Sequence, residues 1–138
     1  MFGTFCKSAC LAMIVLFVVG CGASSNVDGG FEPAETLVLD GVYESRVSVE
    51  KGEMIALDIL VPFKKGYRIV GVSFDPDMLR LEHYLEYEGD GMTRARYVYA
   101  VLMDGTSDLL VKMEPLAGGN VEIYKQVTVK VGGETGLF

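Results

Sequence analysis

The chain has 138 residues, three cysteines and a formal net charge of −7 at pH 7. This length is typical of one domain, and an acidic surface repels both nucleic-acid phosphates and anionic membrane headgroups. We therefore expect no nucleic-acid partner and no membrane attachment through a basic patch.

Residues 1–20 have the layout of a secretory signal. A short segment with one basic residue, Lys7, precedes the unbroken apolar run of residues 11–19, and Gly20-Cys21 follows. The apolar run is shorter than the roughly 20 residues that span a bilayer. We predict that residues 1–20 are a signal peptide.

The end of this leader, Val18-Val19-Gly20-Cys21, resembles the lipobox of bacterial lipoprotein precursors. The resemblance implies cleavage before Cys21 and lipid on its sulfur and amino group, so that acyl chains attach the protein to a membrane. Gly22 stands where an aspartate would retain a lipoprotein in the inner membrane. The expected location is the bacterial cell envelope, with the outer membrane favoured, on its periplasmic or surface face.

The rest of the chain divides into three parts. Residues 21–35 contain the lipidated cysteine and a small, polar, glycine-rich segment, which predicts a flexible tether. Residues 36–132 are the predicted domain, and residues 133–138 are a short tail. Cys6 and Cys10 lie in the leader, so Cys21 is the only cysteine left after cleavage and no intrachain disulfide is expected.

The predicted domain shows alternating apolar and polar residues interrupted by turn residues. Eight segments predict strands: Thr36–Leu39, Ser45–Glu50, Met54–Val61, Tyr67–Phe74, Leu79–Glu88, Met92–Met103, Leu109–Glu114 and Val121–Val131. Strands with one apolar face pack as two stacked sheets. The sequence therefore predicts an all-β fold, an immunoglobulin-like antiparallel β-sandwich of seven to eight strands.

The alternation also predicts which side chains face the core. In the third strand the inward residues are Ile55, Leu57, Ile59 and Val61, and in the last strand they are Val121, Ile123, Val127, Val129 and Val131, with Lys125 as an exception. A symmetric hairpin around Gly89-Asp90-Gly91 would pair Glu86 with Arg94 and would place His83 opposite Tyr97 on the inward face.

No pattern of catalytic residues is present, so we expect a non-enzymatic protein without a metal or cofactor. His83 is the only histidine, and we interpret it as a packed residue of the hairpin. The acidic segments Asp75-Pro76-Asp77 and 104–108 lack the ligand spacing of known calcium loops, and turn formation explains them more simply than calcium binding does.

Landmarks within residues 47–131 resemble chagasin-type inhibitors of papain-like cysteine proteases, which are small immunoglobulin-like sandwiches. The matched segments are Val49 to Gly52-Glu53, Pro62 to Gly66-Tyr67, Asp75 to Leu79-Arg80-Leu81, Gly105-Thr106 with Leu109–Glu114, and Val127-Thr128-Val129. The resemblance implies inhibition by three loops that enter the protease cleft.

The inhibitory motifs match this sequence only in part. The family's first loop reads Asn-Pro-Thr-Thr-Gly-Tyr, and here Pro62, Gly66 and Tyr67 match, whereas Val61 replaces the asparagine, the threonines are absent and one residue is added. Gly89-Asp90-Gly91 would be the glycine-rich second loop. Only Pro115 matches the third loop, which is Arg-Pro-Trp or Arg-Pro-Phe in the family. We predict a contact loop formed by Pro62, Phe63, Lys64, Lys65, Gly66 and Tyr67.

Three functions are compatible with these observations. The first is a lipid-anchored envelope lipoprotein whose immunoglobulin-like domain binds a protein partner. The second is a chagasin-like inhibitor of papain-family proteases. The third is a calcium- or carbohydrate-binding envelope module.

The anchor can be tested by replacing its cysteine. Cys21→Ser removes the sulfur that would carry the lipid, so we expect loss of acyl labelling and release of the protein from membranes. Labelling with a fatty-acid analogue and membrane fractionation measure both effects. Unchanged labelling of the variant would contradict the predicted anchor.

Overall fold

The computed structural model describes residues 27–132. The predicted signal peptide, Cys21 and the tail at 133–138 lie outside the described residues. The described part contains eight strands and a single turn of 3₁₀ helix, with the bounds β1 Glu35–Val38, β2 Glu44–Val49, β3 Met54–Leu60, η1 Phe63–Lys65, β4 Tyr67–Ser73, β5 Leu79–Gly89, β6 Met92–Val101, β7 Gly105–Pro115 and β8 Glu122–Val131.

The strands form two four-stranded sheets, which confirms the predicted all-β sandwich. Sheet A has the order β1-β3-β6-β5, and sheet B has the order β2-β8-β7-β4. Most neighbours are antiparallel, but β1 pairs with β3 and β2 pairs with β8 in parallel. Both sheets are therefore mixed. The strands β1 and β2 are consecutive in the chain, and each joins the outer edge of a different sheet.

The core lies between the two sheets and consists mainly of aliphatic side chains, together with Tyr97 and Tyr99. The predicted inward residues of β3 and the segment after it are buried, and Ile59 is 0% exposed. Other fully or almost fully buried side chains are Ile55, Leu57, Leu79, Tyr99, Leu109, Val111, Val127, Val129 and Val131. Removal of this apolar surface from water is the main stabilising contribution to the fold.

The outer face of sheet A is also partly covered. Residues 28–34, which belong to the segment predicted as a tether, lie against it. The Ala34 amide donates a hydrogen bond to the Met54 carbonyl at 2.7 Å, and the ring of Phe31 lies 6.4 Å from that of His83. This cover explains why Ala56 in β3 is buried, although it points away from the core.

The hairpin between β5 and β6 differs from its predicted register. Its turn has two residues, Asp90 and Gly91, with φ angles of 55° and 76°, as a type I′ turn requires. Glu86 therefore faces Ala95, and the predicted pairing of Glu86 with Arg94 is wrong. The positive φ of Gly91 favours the shorter turn because glycine adopts it without steric strain.

A bulge in β5 changes which residues face the core. Leu81 faces Tyr99 and His83 faces Val98, so Glu82 is the extra residue. The bulge moves His83 to the outer face of sheet A. The predicted position of His83 opposite Tyr97 is therefore wrong.

A second bulge lies near the start of β8, where Val111 faces Lys125 and Lys112 faces Ile123. The extra residue is Tyr124, which packs against the core although it is not one of the predicted inward residues. Lys125 is buried. The predicted inward position of Val121 is also wrong, because Val121 precedes β8 and is exposed.

Four connections meet at one end of the sandwich, which we call the loop end. They are residues 39–43 between β1 and β2, 61–66 between β3 and β4, 90–91 between β5 and β6, and 116–121 between β7 and β8. The registers require this arrangement, since the end of β3 pairs with the start of β6 and the end of β7 pairs with the start of β4. Within residues 27–132 no helix is long and apolar enough to cross a bilayer.

The packing can be tested in β3. Ile59→Ala removes a fully buried side chain, and we expect it to lower the free energy of unfolding by about 2–5 kcal/mol. Val70→Ala is the control, because Val70 is exposed and its truncation should change stability by less than about 0.5 kcal/mol. Urea denaturation measures both variants. Equal stabilities would contradict the assigned core.

Candidate functional site

The connection between β3 and β4 is an ordered loop. Val61 and Pro62 are buried and anchor it, whereas Phe63 is 45% exposed. The Gly66 amide donates to the Phe63 carbonyl at 2.9 Å, and the Tyr67 amide donates to the Pro62 carbonyl at 3.0 Å. Gly66 has the left-handed conformation, with a φ angle of 83°, which glycine adopts easily. The loop therefore presents Phe63 and its two neighbouring lysines on a fixed backbone.

Hydrogen bonds join this loop to its neighbours at the loop end. The Leu116 amide donates to the Gly66 carbonyl at 2.8 Å, and the Val61 amide donates to the Thr93 carbonyl at 3.0 Å. The Tyr124 hydroxyl donates to the carbonyl of Leu60 at 2.8 Å. The loop end is therefore a single cross-linked surface, since these bonds connect the two sheets.

A buried carboxylate, Asp58, lies beneath the loop end. It is 3% exposed. Arg94 donates from Nε to Oδ1 at 2.6 Å, and Arg96 donates from Nη1 to Oδ2 at 3.0 Å. The Tyr87 hydroxyl also donates to Oδ2. These charge-assisted bonds satisfy a carboxylate that would otherwise destabilise the fold by its burial.

The same cluster extends to two chain segments outside the strands. Arg94 contacts Asp40 at 2.9 Å, and Arg96 contacts Asp28 at 2.7 Å. The hydrogen bond that Arg94 donates to Asp40 is the main cause of the raised pKa of Arg94; desolvation opposes this shift, and the interactions with Asp58 add to it. The cluster thus fixes the start of loop 39–43 and the segment before β1 against sheet A.

Exposed apolar side chains are concentrated at the loop end. They come from three different loops and are Val42, Tyr43, Phe63, Leu116 and Val121. Single exposed apolar residues are ordinary, but several of them at one end of a domain are typical of an interaction site. All six predicted contact residues, 62–67, lie here or at the start of β4. Their contact with a partner stays a prediction.

A cleft of about 640 Å³ opens between loop 39–43 and loop 61–66. Its walls include Val42, Phe63 and Met92, and Tyr124 and Lys125 also line it. The ammonium of Lys125 donates to the Val42 carbonyl. Desolvation lowers the pKa of Lys125; the nearby charge of Asp40 opposes this shift, and Lys65 adds to it.

The sequence did not predict loop 39–43 or the cleft as part of the site. One signal was present, because Lys125 interrupts the apolar alternation of the last strand. That exception marks the bulge, which turns Tyr124 and Lys125 toward loops 39–43 and 61–66.

Carboxylates of the acidic segments considered for calcium accept hydrogen bonds within a turn and between two strands. Oδ1 of Asp75 accepts a hydrogen bond from the Asp77 amide at 2.9 Å, and Oδ1 of Asp108 accepts one from the Thr128 hydroxyl at 2.8 Å. In the described part of the chain, no three His, Cys, Asp or Glu side chains converge to hold a metal ion. His83 lies on the outer face of sheet A, away from the loop end.

Comparison with known proteins identifies the fold. No protein-family model matches the sequence, and neither does any curated protein sequence. The solved structures that are similar include the cysteine protease inhibitor EhICP2 from Entamoeba histolytica, with 12% identity and a TM-score of 0.54, and PbICP-C in its complex with falcipain-2, with 17% identity and a TM-score of 0.51. The matches cover 72% and 71% of this chain and 99% of each matched chain. The chain therefore has the immunoglobulin-type sandwich fold of these two structures.

The buried cluster makes a testable contribution to stability. Asp58→Asn removes the charge that Arg94 and Arg96 share, so we expect a loss of about 3–5 kcal/mol in the free energy of unfolding. Asp77→Asn is a matched control, because the Asp77 side chain is exposed. Chemical denaturation measures both variants, and an equally small effect in the two would show that the cluster contributes little.

Proposed function

We propose that this protein inhibits papain-like cysteine proteases by inserting its loop end into the protease cleft. The observation that carries the proposal is the position of three loops, 61–66, 90–91 and 116–121, at one end of a fold shared with EhICP2 and PbICP-C. EhICP2 is described as a cysteine protease inhibitor, and PbICP-C was solved in a complex with falcipain-2. A non-enzymatic role is consistent with this, because inhibition by occupancy requires no chemistry from the inhibitor.

The physical support is the rigidity of the loop end. Binding is weakened when flexible loops must become ordered. Here, internal hydrogen bonds hold loop 61–66, and the Leu116 amide joins it to loop 116–121. Association would therefore require little ordering of the backbone. Phe63 is the natural anchor, since buried aromatic side chains dominate interface energies.

The departures from the family motif determine which side chains would make contact. Phe63, Lys64 and Lys65 occupy the positions where the family has threonines, and loop 116–121 carries Leu116 instead of an aromatic residue after its proline. The proposed interface is thus an aromatic and aliphatic centre with a basic rim. Such an arrangement resembles the apolar centre and polar rim of ordinary protein interfaces.

Lipid on Cys21 forms a second part of the proposal. The support is the sequence Val18-Val19-Gly20-Cys21, as described above. An anchored inhibitor would act at the cell envelope and would protect proteins there from proteases of this class.

Titration of proteases tests inhibition directly. The mature chain, residues 21–138 with Cys21→Ser, is added to papain and to two further papain-family endopeptidases, and residual activity is measured with a fluorogenic peptide. We expect stoichiometric or tight reversible inhibition of at least one. The proposal is wrong if none is inhibited at micromolar concentrations.

The contribution proposed for Phe63 can be tested by truncating its side chain. Phe63→Ala should raise the inhibition constant at least tenfold, which corresponds to about 1.4 kcal/mol. Met103→Ala is the matched control, because Met103 is 46% exposed and lies after β6, at the opposite end of the sandwich. Equal inhibition constants for the two variants would remove Phe63 from the contact surface.

A further inference from the structure

The cleft between loops 39–43 and 61–66 has properties that protease inhibition does not require. Its volume of about 640 Å³ lies within the roughly 300–1,000 Å³ typical of small-molecule sites. Val42, Phe63 and Met92 supply apolar surface. Loop 39–43, which forms one wall, is not one of the three loops assigned to the protease.

A lysine with unusual surroundings lies in the wall of this cleft. Lys125 is 8% exposed, and its ammonium is 4.8 Å from the centre of the Tyr124 ring. An ammonium has three N–H donors, and the Val42 carbonyl accepts one of them. No carboxylate of residues 27–132 forms an ion pair with Lys125.

The charges around Lys125 favour an anion over a cation. Lys64 and Lys65 also line the cleft, whereas the whole chain carries a net charge of −7. The two acidic residues at the cleft have other partners. Asp40 is paired with Arg94 at 2.9 Å, and the carboxylate of Glu88 accepts a hydrogen bond from the Thr93 hydroxyl at 2.8 Å.

We propose that this cleft binds a small anionic amphiphile, an apolar chain or ring that carries one carboxylate. The apolar part packs against Val42, Phe63 and Met92, and the carboxylate interacts with the ammonium of Lys125. The charge of Asp40 acts on Lys125, but the Asp40 carboxylate is paired with Arg94. A ligand carboxylate at this position supplies the direct ion pair that Lys125 lacks among residues 27–132. The cleft shares Phe63 with the proposed protease contact, but the binding of an amphiphile does not depend on protease inhibition.

Calorimetric titration with decanoate tests the proposal. The mature chain, residues 21–138 with Cys21→Ser, is titrated below the concentration at which decanoate forms micelles. We expect saturable binding of one molecule, with decanol and decyltrimethylammonium at least tenfold weaker. Absence of decanoate binding overturns the proposal, and so does equal affinity for decanol, since the lysine would then have no role.

Two lysine variants locate the carboxylate. Lys125→Met keeps most of the apolar stem and should weaken decanoate binding at least tenfold without changing the weak affinity for decanol. Lys130→Met is the matched control in the same strand, because Lys130 is exposed and lies near the opposite end of β8. Equal decanoate affinities for the two variants overturn the proposed site.

Chemical-shift mapping of the unmodified sequence from residue 22 onward makes the result independent of variant folding. Decanoate should shift the backbone amides of Val42, Phe63 and Tyr124. Shifts confined to other regions overturn the assignment of the cleft, even if Lys125→Met fails to fold.

The outcome also separates this proposal from protease inhibition. Papain-family titration and decanoate binding can each fail while the other succeeds. If decanoate does not bind but Lys125→Met weakens inhibition, the cleft accepts a side chain of the protease. The amphiphile proposal is then wrong, and the proposed inhibition is unaffected.

Discussion

The ion-pair cluster around Asp58 is the interaction on which the arrangement of the site depends. A carboxylate that is 3% exposed is tolerated only when its partners are in place, because desolvation otherwise exceeds the attraction. Arg94 and Arg96 provide those partners, and they also reach Asp40 and Asp28. Folding of sheet A therefore positions loop 39–43 and the segment before β1 at the same time.

The bulges determine which side chains face the core and which reach the loop end. Each adds one residue to a strand and reverses the faces of the residues beyond it. In β5 the bulge turns His83 away from the core, and in β8 it turns Tyr124 toward it. The hydroxyl of Tyr124 then donates a hydrogen bond to the Leu60 carbonyl. The bulge in sheet B therefore allows a hydrogen bond between the two sheets at the loop end.

The loop end combines rigidity with exposed apolar groups, and both properties follow from the sandwich. Strand registers bring loops 61–66, 90–91 and 116–121 together, and backbone hydrogen bonds hold them. A surface of this kind loses little conformational entropy on association. The adjoining cleft adds a nearly buried lysine without a carboxylate partner in the described chain. The proposed protease contact and the proposed small-ligand cleft therefore lie side by side at one end of the domain.

The sequence alone determined the class of the fold, the positions of the strands and most of the core, because alternation with a period of two reports directly which face is buried. It also singled out residues 62–67 as a contact loop, which stays a prediction; in the structure Phe63, Lys64 and Lys65 are exposed. The parallel pairing of β1 with β3 and the one-residue bulges required the tertiary structure, since neither changes the local pattern of residues. The roles of Asp58 and Lys125 required it for the same reason: each stands in its strand as an isolated polar residue, and its partners come from segments distant in the chain. Only the packed sandwich decided that Asp58 is neutralised by two arginines while Lys125 faces an apolar cleft.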